Sequence, residues 1–509
     1  MASLPLLSPN AAITRGKPQL TGWDRNIPPL LRPLARAYLL GYGFSVGPRL
    51  LALILHHVLV FVRTRRGDAN GIAQKRLQLP FVEAMRKTLL AGLEWQRFPA
   101  FCATLVGGST LLQPVLYSAF SRILKDFSDA SKTRLSRWFS SFIAAWLSLQ
   151  MLQSKQSIPS STTLSTAAAP PPSSKSDRPP KPQAGRTLDL TLFAATRALD
   201  VIIGEIWSQR RGRRSPSAST TTKTIDLLAS RLTDPLIFAT SSALVMWTWF
   251  YSPTSLPRAY NKWIASAASV DQRLVVALQR CRGNTLRYGE EGHAPLLQGM
   301  CKDYHWPMEW GDPAVSIPFP CEMVHMGAGP SCELHALTRF GRAWLWSMKT
   351  YLPLQLAVLL LRARTSKNLG RNLVRAFTSA SRSSAFLGSF ITLFYYGVCL
   401  ARTRVGPHIL GKDASARQKI DGGVCVGTGC FLCGWSVLLE PSSRRKELAL
   451  FVAPRAVATV LPRRYDADKQ WRETLVFAAS TAVVFTCALE NKNRVRGVLG
   501  GVLRTVLAA

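Results

Sequence analysis

The residues in this chain best placed to do chemistry are Cys321, His325, Cys332 and His335, arranged C-x3-H-x6-C-x2-H within one polar, aromatic stretch. Zinc takes four nitrogen or sulfur ligands in a tetrahedron, and short spacings help by closing small loops around the ion. The spacing is not that of the usual fingers or knuckles. Gly327, Gly329 and Pro330 can turn the chain back on itself, which equally suits a Cys321–Cys332 disulfide. A third reading is packed thiols in an ordered connector, with no ion and no bond. Nearby, His305 sits among Trp306, Glu309 and Trp310, a grouping expected of an interfacial aromatic belt. Cys430-x-x-Cys433 has the spacing of a redox motif, but it lies inside an apolar run beside Gly429 and Gly434. Helix packing explains it better. The chain carries no HExxH or GxxxxGK[ST] element, and its GxSxG match, Gly43–Gly47, falls inside the apolar segment expected to be a helix rather than on a strand-to-helix turn, so no catalytic residue is assigned and no enzyme is expected.

These residues are flanked by long apolar segments. Uncharged runs span Phe98–Ser121, Trp138–Ser154, Pro235–Pro257, Ser383–Ala401, Gly422–Leu439 and Thr474–Leu489. A helix needs about 20 such residues to cross a bilayer, so the expected fold class is an all-α polytopic membrane protein. A further helix is expected over 35–62, with Pro48 kinking it. The formal charge is +36, and the basic residues crowd between the apolar runs, six against no acid in Arg362–Arg382. No nucleic-acid reader motif accompanies them; anionic membrane lipids are the expected partners, with membrane-protein partners or a homo-oligomer also possible. Between Pro257 and Arg339 the charges balance, eight against eight.

The blocks after the polar stretch repeat those before it. Residues 186–199 and 444–457 share seven of fourteen positions, and 236–245 and 475–484 share six of ten. The low-complexity segment Ile158–Pro182 fills the interval where the first copy is longer, as expected of loop insertions in a duplicated bundle. The expected domains are a disordered tail (1–32), a first membrane half (33–257, with an insert at 155–185), a Cys/His-containing connector (258–340) and a second, homologous membrane half (341–509).

The order of these pieces resembles the transmembrane protein 135 family. The likeness is carried by Cys321-x3-His325-x6-Cys332, by FLGSFITLFYYGVCLAR at 386–402 and by WSVLLEPSSRRKELALFVAPR at 435–455. It implies a multi-pass protein of mitochondria or peroxisomes that supports membrane and lipid homeostasis, with no catalytic residues to carry over. The glycine spacing Gly423-x3-Gly427 is a fainter echo of an inner-membrane translocase family. A transporter and a translocase-like scaffold are the alternatives.

One pattern bears on topology. Asp189 and Arg197 in the first copy correspond to Glu447 and Arg455 in the second. Packed antiparallel, the two helices would pair Asp189 with Arg455 and Arg197 with Glu447. If the helices span the membrane, their charges need such partners, because an unpaired one costs about 2.5–3.5 kcal/mol or more at the centre; the other reading is that both helices lie at the interface with their charges in water.

Overall fold

The protein is described here from a computed structural model covering residues 24, 26–65, 81–154, 183–212, 220–362, 368–491, 494, 495 and 497–507. Most of the expected tail and the low-complexity insert up to residue 182 lie outside these residues. The architecture is helical, and the sheet content among the described residues is one two-residue antiparallel pair, β1 (Gln183–Ala184) with β2 (Tyr465–Asp466).

Among the described residues, five stretches are long and apolar enough to cross a membrane: Arg32–Val58, Phe81–Ile123, Gly370–Leu410, Ala414–Leu439 and Ala467–Glu490. This is the make-up of an integral membrane protein, and it contains four of the six uncharged runs. The run at Trp138–Ser154 is helical, but its helix opens with Asp129, Lys132, Arg134 and Arg137 and is serine-rich. It packs instead through a face of small residues, with Ser136, Ser140, Ser141, Ala144 and Ala145 buried.

The chain divides into two compact units, one of Met1–Thr163 with Thr481–Ala509, the other Leu164–Ser480. In the first, α3 (Phe98–Ile123) packs between α1 (Arg32–Arg65) and α4 (Asp129–Gln153), and α2 (Phe81–Leu93) lies chiefly against α1. Helix α1 runs unbroken through Pro48, so the expected kink does not interrupt it. Proline removes one hydrogen bond of the ladder, a loss the long apolar helix tolerates. Gly107 and Gly108 let α3 approach both neighbours. A Cβ on Gly107 would lie 2.6 Å from Leu34 of α1, and one on Gly108 3.0 Å from Ala144 of α4. Asp24, expected within a disordered tail, is buried in an ion pair with Arg36.

The second unit holds α5 (Leu188–Gly212), α6 (Thr220–Tyr251), α7 (Arg258–Ala268), α8 (Gln272–Arg282), α9 (Pro295–Tyr304), α10 (Cys321–His325), α11 (Cys332–Arg362) and α12 (Leu369–Cys399). After a π turn at Leu400–Val405 come α13 (Gly406–Leu410) and α14 (Ala414–Lys419). A second π turn, Ile420–Val424, leads into α15 (Cys425–Cys433), then α16 (Ser442–Val460) and the start of α17 (Gln470–Glu490). A short α18 (Gly497–Val506) belongs to the first unit. One buried cluster runs from Phe238 of α6 through the connector to Phe394 of α12 and Val437. This shared core joins the connector to the helices on either side of it within the second unit. Helices α12 and α15 meet at glycine, where a Cβ on Gly429 would sit 2.6 Å from the Phe394 carbonyl. The neighbouring Cys430 and Cys433 are free, buried thiols, in keeping with their reading as packing residues.

Helices α5 and α16 pack against each other in opposite directions. Asp189 near the start of α5 reaches Arg463 just past the end of α16 (3.7 Å), and Asp200 reaches Lys446 near the start of α16 (3.0 Å). The antiparallel contact is the expected one, but the pairs are shifted. Asp189 meets Arg463 rather than Arg455, whose guanidinium instead lies over the Phe451 and Tyr260 rings. Arg197 is buried, its Nε has no hydrogen-bond partner, and Glu447 is the acid whose charge acts on it most strongly.

A buried ion pair closes the unit at the two π turns. The Arg402 guanidinium donates to both carboxylate oxygens of Asp421 (2.6 and 3.0 Å), and both side chains are almost wholly inaccessible. Removing one partner of such a pair leaves an uncompensated buried charge, a loss of about 3–5 kcal/mol. Asp421→Asn is therefore expected to lower the thermal unfolding midpoint of the detergent-solubilised protein sharply. The double change Arg402→Met with Asp421→Leu is expected to recover much of that loss.

Candidate metal centre

Proline at 320 opens a short helix, α10, on which Cys321 and His325 stand four residues apart and so on one face. Met326 closes it in the left-handed conformation (φ 52°), and Gly327 and Gly329 follow with φ of 82° and 88°. That reversal brings Cys332, the first residue of α11, back to Cys321. The fourth group comes from far along the chain: Cys399 is the last residue of α12.

Four ligand atoms, one each from Cys321, His325, Cys332 and Cys399, lie within 4.8 Å of one another. The Cys321 Sγ is 3.5 Å from His325 Nε2, 3.9 Å from Cys332 Sγ and 3.7 Å from Cys399 Sγ. Cys399 Sγ is 3.5 Å from the same imidazole nitrogen. A tetrahedral ion bound at ~2.3 Å by sulfur and ~2.0 Å by nitrogen holds its ligand atoms about 3.5–3.8 Å apart. Four of the six separations match that figure and the other two lie within 4.8 Å, so the residues present are compatible with a four-coordinate, thiolate-rich metal ion.

The second layer of contacts suits the same role. His325 Nδ1 is 2.7 Å from the Gly329 carbonyl. A carbonyl can only accept, so Nδ1 carries the proton and Nε2 is turned toward the sulfurs, the arrangement typical of a ligating histidine. Arg402 donates to the Phe319 carbonyl at 3.0 Å and lies over the Phe319 ring, which fixes the chain two residues before Cys321.

The charges follow from this packing. A hydrogen bond with the Cys399 thiol, with further help from His325 and the positive Arg402, draws the Cys321 thiol down to about 4 against the opposing effect of burial. Burial and the negative charge on Cys321 push Cys332 up to about 11. Burial pulls the His325 imidazole down, but its bonds to Cys321 and Gly329 carry it above its usual value.

Of the four ligands expected from spacing, three are brought together and His335 is not. Its ring stacks on His325 with centroids 4.6 Å apart and meets Tyr395 edge-on. It is buried with neither ring nitrogen hydrogen-bonded, and burial, followed by the charges of His325, Arg339 and Arg342, pushes it down to about 3. His335 therefore backs the ligating imidazole as a neutral aromatic. Cys399 takes the fourth place. It lies inside an apolar run, and no local spacing links it to Cys321, 78 residues away. The Cys321–Cys332 disulfide is not formed, and all ten cysteines are free thiols.

Without a bound ion, the lowered Cys321 thiol is expected to be more ionised at neutral pH than the raised Cys332 thiol. Iodoacetamide is expected to modify Cys321 well before Cys332, as peptide mass mapping over a time course would show. No family model, no curated protein and no solved structure matches this chain.

Proposed function

We propose that this chain is a multi-pass organelle membrane protein with a structural zinc ion that ties its polar connector to a membrane helix, and that it has no catalytic activity of its own. The observation that carries the zinc reading is the Cys321–His325–Cys332–Cys399 tetrahedron, with His325 locked by Gly329. Three thiols with one imidazole are a common structural zinc set, closed to substrate by having four protein ligands. The placement in mitochondria or peroxisomes, and the role in membrane and lipid homeostasis, rest on the family resemblance. Purified protein is expected to hold about one zinc per chain by elemental analysis. Cys399→Ser should remove it as fully as Cys321→Ser, while His335→Phe should retain it. Metal-free protein of full thermal stability, or zinc lost only with His335, would overturn the assignment.

A second reading, a transporter built as an inverted repeat, is favoured by one observation. The segments that match each other in sequence, 186–199 and 444–457, lie on α5 and α16, and these helices run antiparallel. Equivalent helices of opposite direction are the hallmark of inverted-topology repeats. Single cysteines placed at Gln209 and Pro462 are then expected to react with an impermeant maleimide from opposite sides of sealed proteoliposomes. Labelling of both from one side would exclude the inverted arrangement.

A further inference from the structure

Two adjoining cavities in the second unit differ in chemistry. The larger, about 460 Å³, lies between α6, α7, α11, α12 and α16. Its walls are aromatic and aliphatic, including Phe238, Tyr260, Trp263, Phe386, Phe390 and Tyr395. The smaller, about 330 Å³, is lined by Ser266, Tyr304, Arg339, Arg342 and Trp346 among others. Ala267 and Ile391 belong to both walls, so the chambers meet across a threshold made of one small and one aliphatic side chain.

The smaller chamber carries positive charge without an acid to balance it. No carboxylate lines either cavity, and neither Arg339 nor Arg342 forms an ion pair among the described residues. Arg339 is only 8% exposed. It donates to the Ala268 and Ser269 carbonyls at 3.3 Å each and lies over the Tyr395 ring. Those carbonyls end α7, so the negative pole of that helix offsets part of the charge. Arg342, one turn along α11, is exposed and has no such compensation. A buried cation placed beside a dry aromatic chamber is costly unless an anion joins it.

We propose that the paired cavities bind an amphiphile with one hydrocarbon chain and an anionic head. The chain occupies the aromatic chamber and crosses Ala267 and Ile391, and a carboxylate or phosphate head meets Arg339 and Arg342. Guanidinium groups suit both heads, since each presents oxygens to their planar fork. Both volumes fall within the roughly 300–1,000 Å³ range of ligand pockets, which are mostly apolar with a few convergent polar groups. The inference goes beyond the metal centre and does not depend on its occupancy.

The test uses the full-length protein in phosphatidylcholine nanodiscs with a hexadecanoate carrying a mid-chain photoactivatable diazirine. Crosslinks are expected on peptides covering 238–268 and 386–395. Unlabelled hexadecanoate or hexadecyl phosphate should suppress them, the stronger of the two identifying the head, and uncharged hexadecanol should not. Arg342→Gln, at an exposed side chain that leaves the Arg339 contacts intact, should weaken hexadecanoate competition about tenfold, the loss of one charge-assisted contact. Ala267→Trp should block the threshold and abolish crosslinking inside the chamber while the protein still purifies as a monodisperse species. Equal suppression by hexadecanol, or crosslinks that survive both changes, would mean non-specific lipid contact and overturn the proposal.

Discussion

The Arg402–Asp421 pair holds the connector to the helices around it. Both charges are removed from water, and such burial is tolerated only where the remaining donors and acceptors are also met. Here the guanidinium reaches both oxygens of Asp421 and the Phe319 carbonyl, and the Tyr288 hydroxyl donates to the same carboxylate. Four separate segments are thereby joined: the loop after α8, the strand of chain before α10, the π turn after α12 and the π turn before α15. π turns add a residue to each helical repeat and commonly occur where a side chain must be aimed off the regular ladder. In this protein the two π turns bear the two halves of the ion pair.

The metal centre follows from that geometry. Cys399 stands three residues before Arg402, about one helical turn away, and Cys321 stands two residues after Phe319. Fixing Arg402 against Phe319 therefore sets the distance between the sulfurs of α10 and α12. Residual freedom in α10 is removed by the Gly327–Gly329 reversal and by the Gly329 carbonyl on His325. Glu333, next to Cys332, pairs with Arg404 on the same π turn, a more exposed contact that screening makes weak. The buried pair sets the arrangement, and the exposed one lies along it.

Much of this was legible in the sequence, and the parts that were not share a cause. The apolar runs identify the helices because a membrane-length segment without charge has few other uses. The Cys321, His325 and Cys332 cluster was legible because these residues are close in sequence. Cys399 was not, because a thiol in an apolar run looks the same whether it packs or ligates. His335 enters the possible zinc set on spacing alone, and the stacking of its ring on His325 gives it a different place. The charges of α5 and α16 indicated an antiparallel contact but not its register. Arg455 could satisfy itself on aromatic faces, which left Asp189 to Arg463. The arginine-lined cavity gave no sequence signal, since Arg339 and Arg342 read as two more basic residues in a basic chain.

The centre and the cavities are physically continuous. From the sulfurs the stack runs through His325 to His335, from His335 to Tyr395, and from Tyr395 to Arg339. Tyr395 lines the aromatic chamber, donates its hydroxyl to the Ala268 carbonyl at 2.9 Å, and stands one helical turn before Cys399 on α12. Any shift of α12 that moves Cys399 must also move Tyr395, because one rigid helix carries both. Close-packed interiors transmit such displacements with little loss. The fourth ligand comes from a helix long and apolar enough to cross a membrane, so the connector cannot complete the site alone. The Cys3His cluster is therefore a property of the assembled helices rather than of the cysteine-bearing stretch alone.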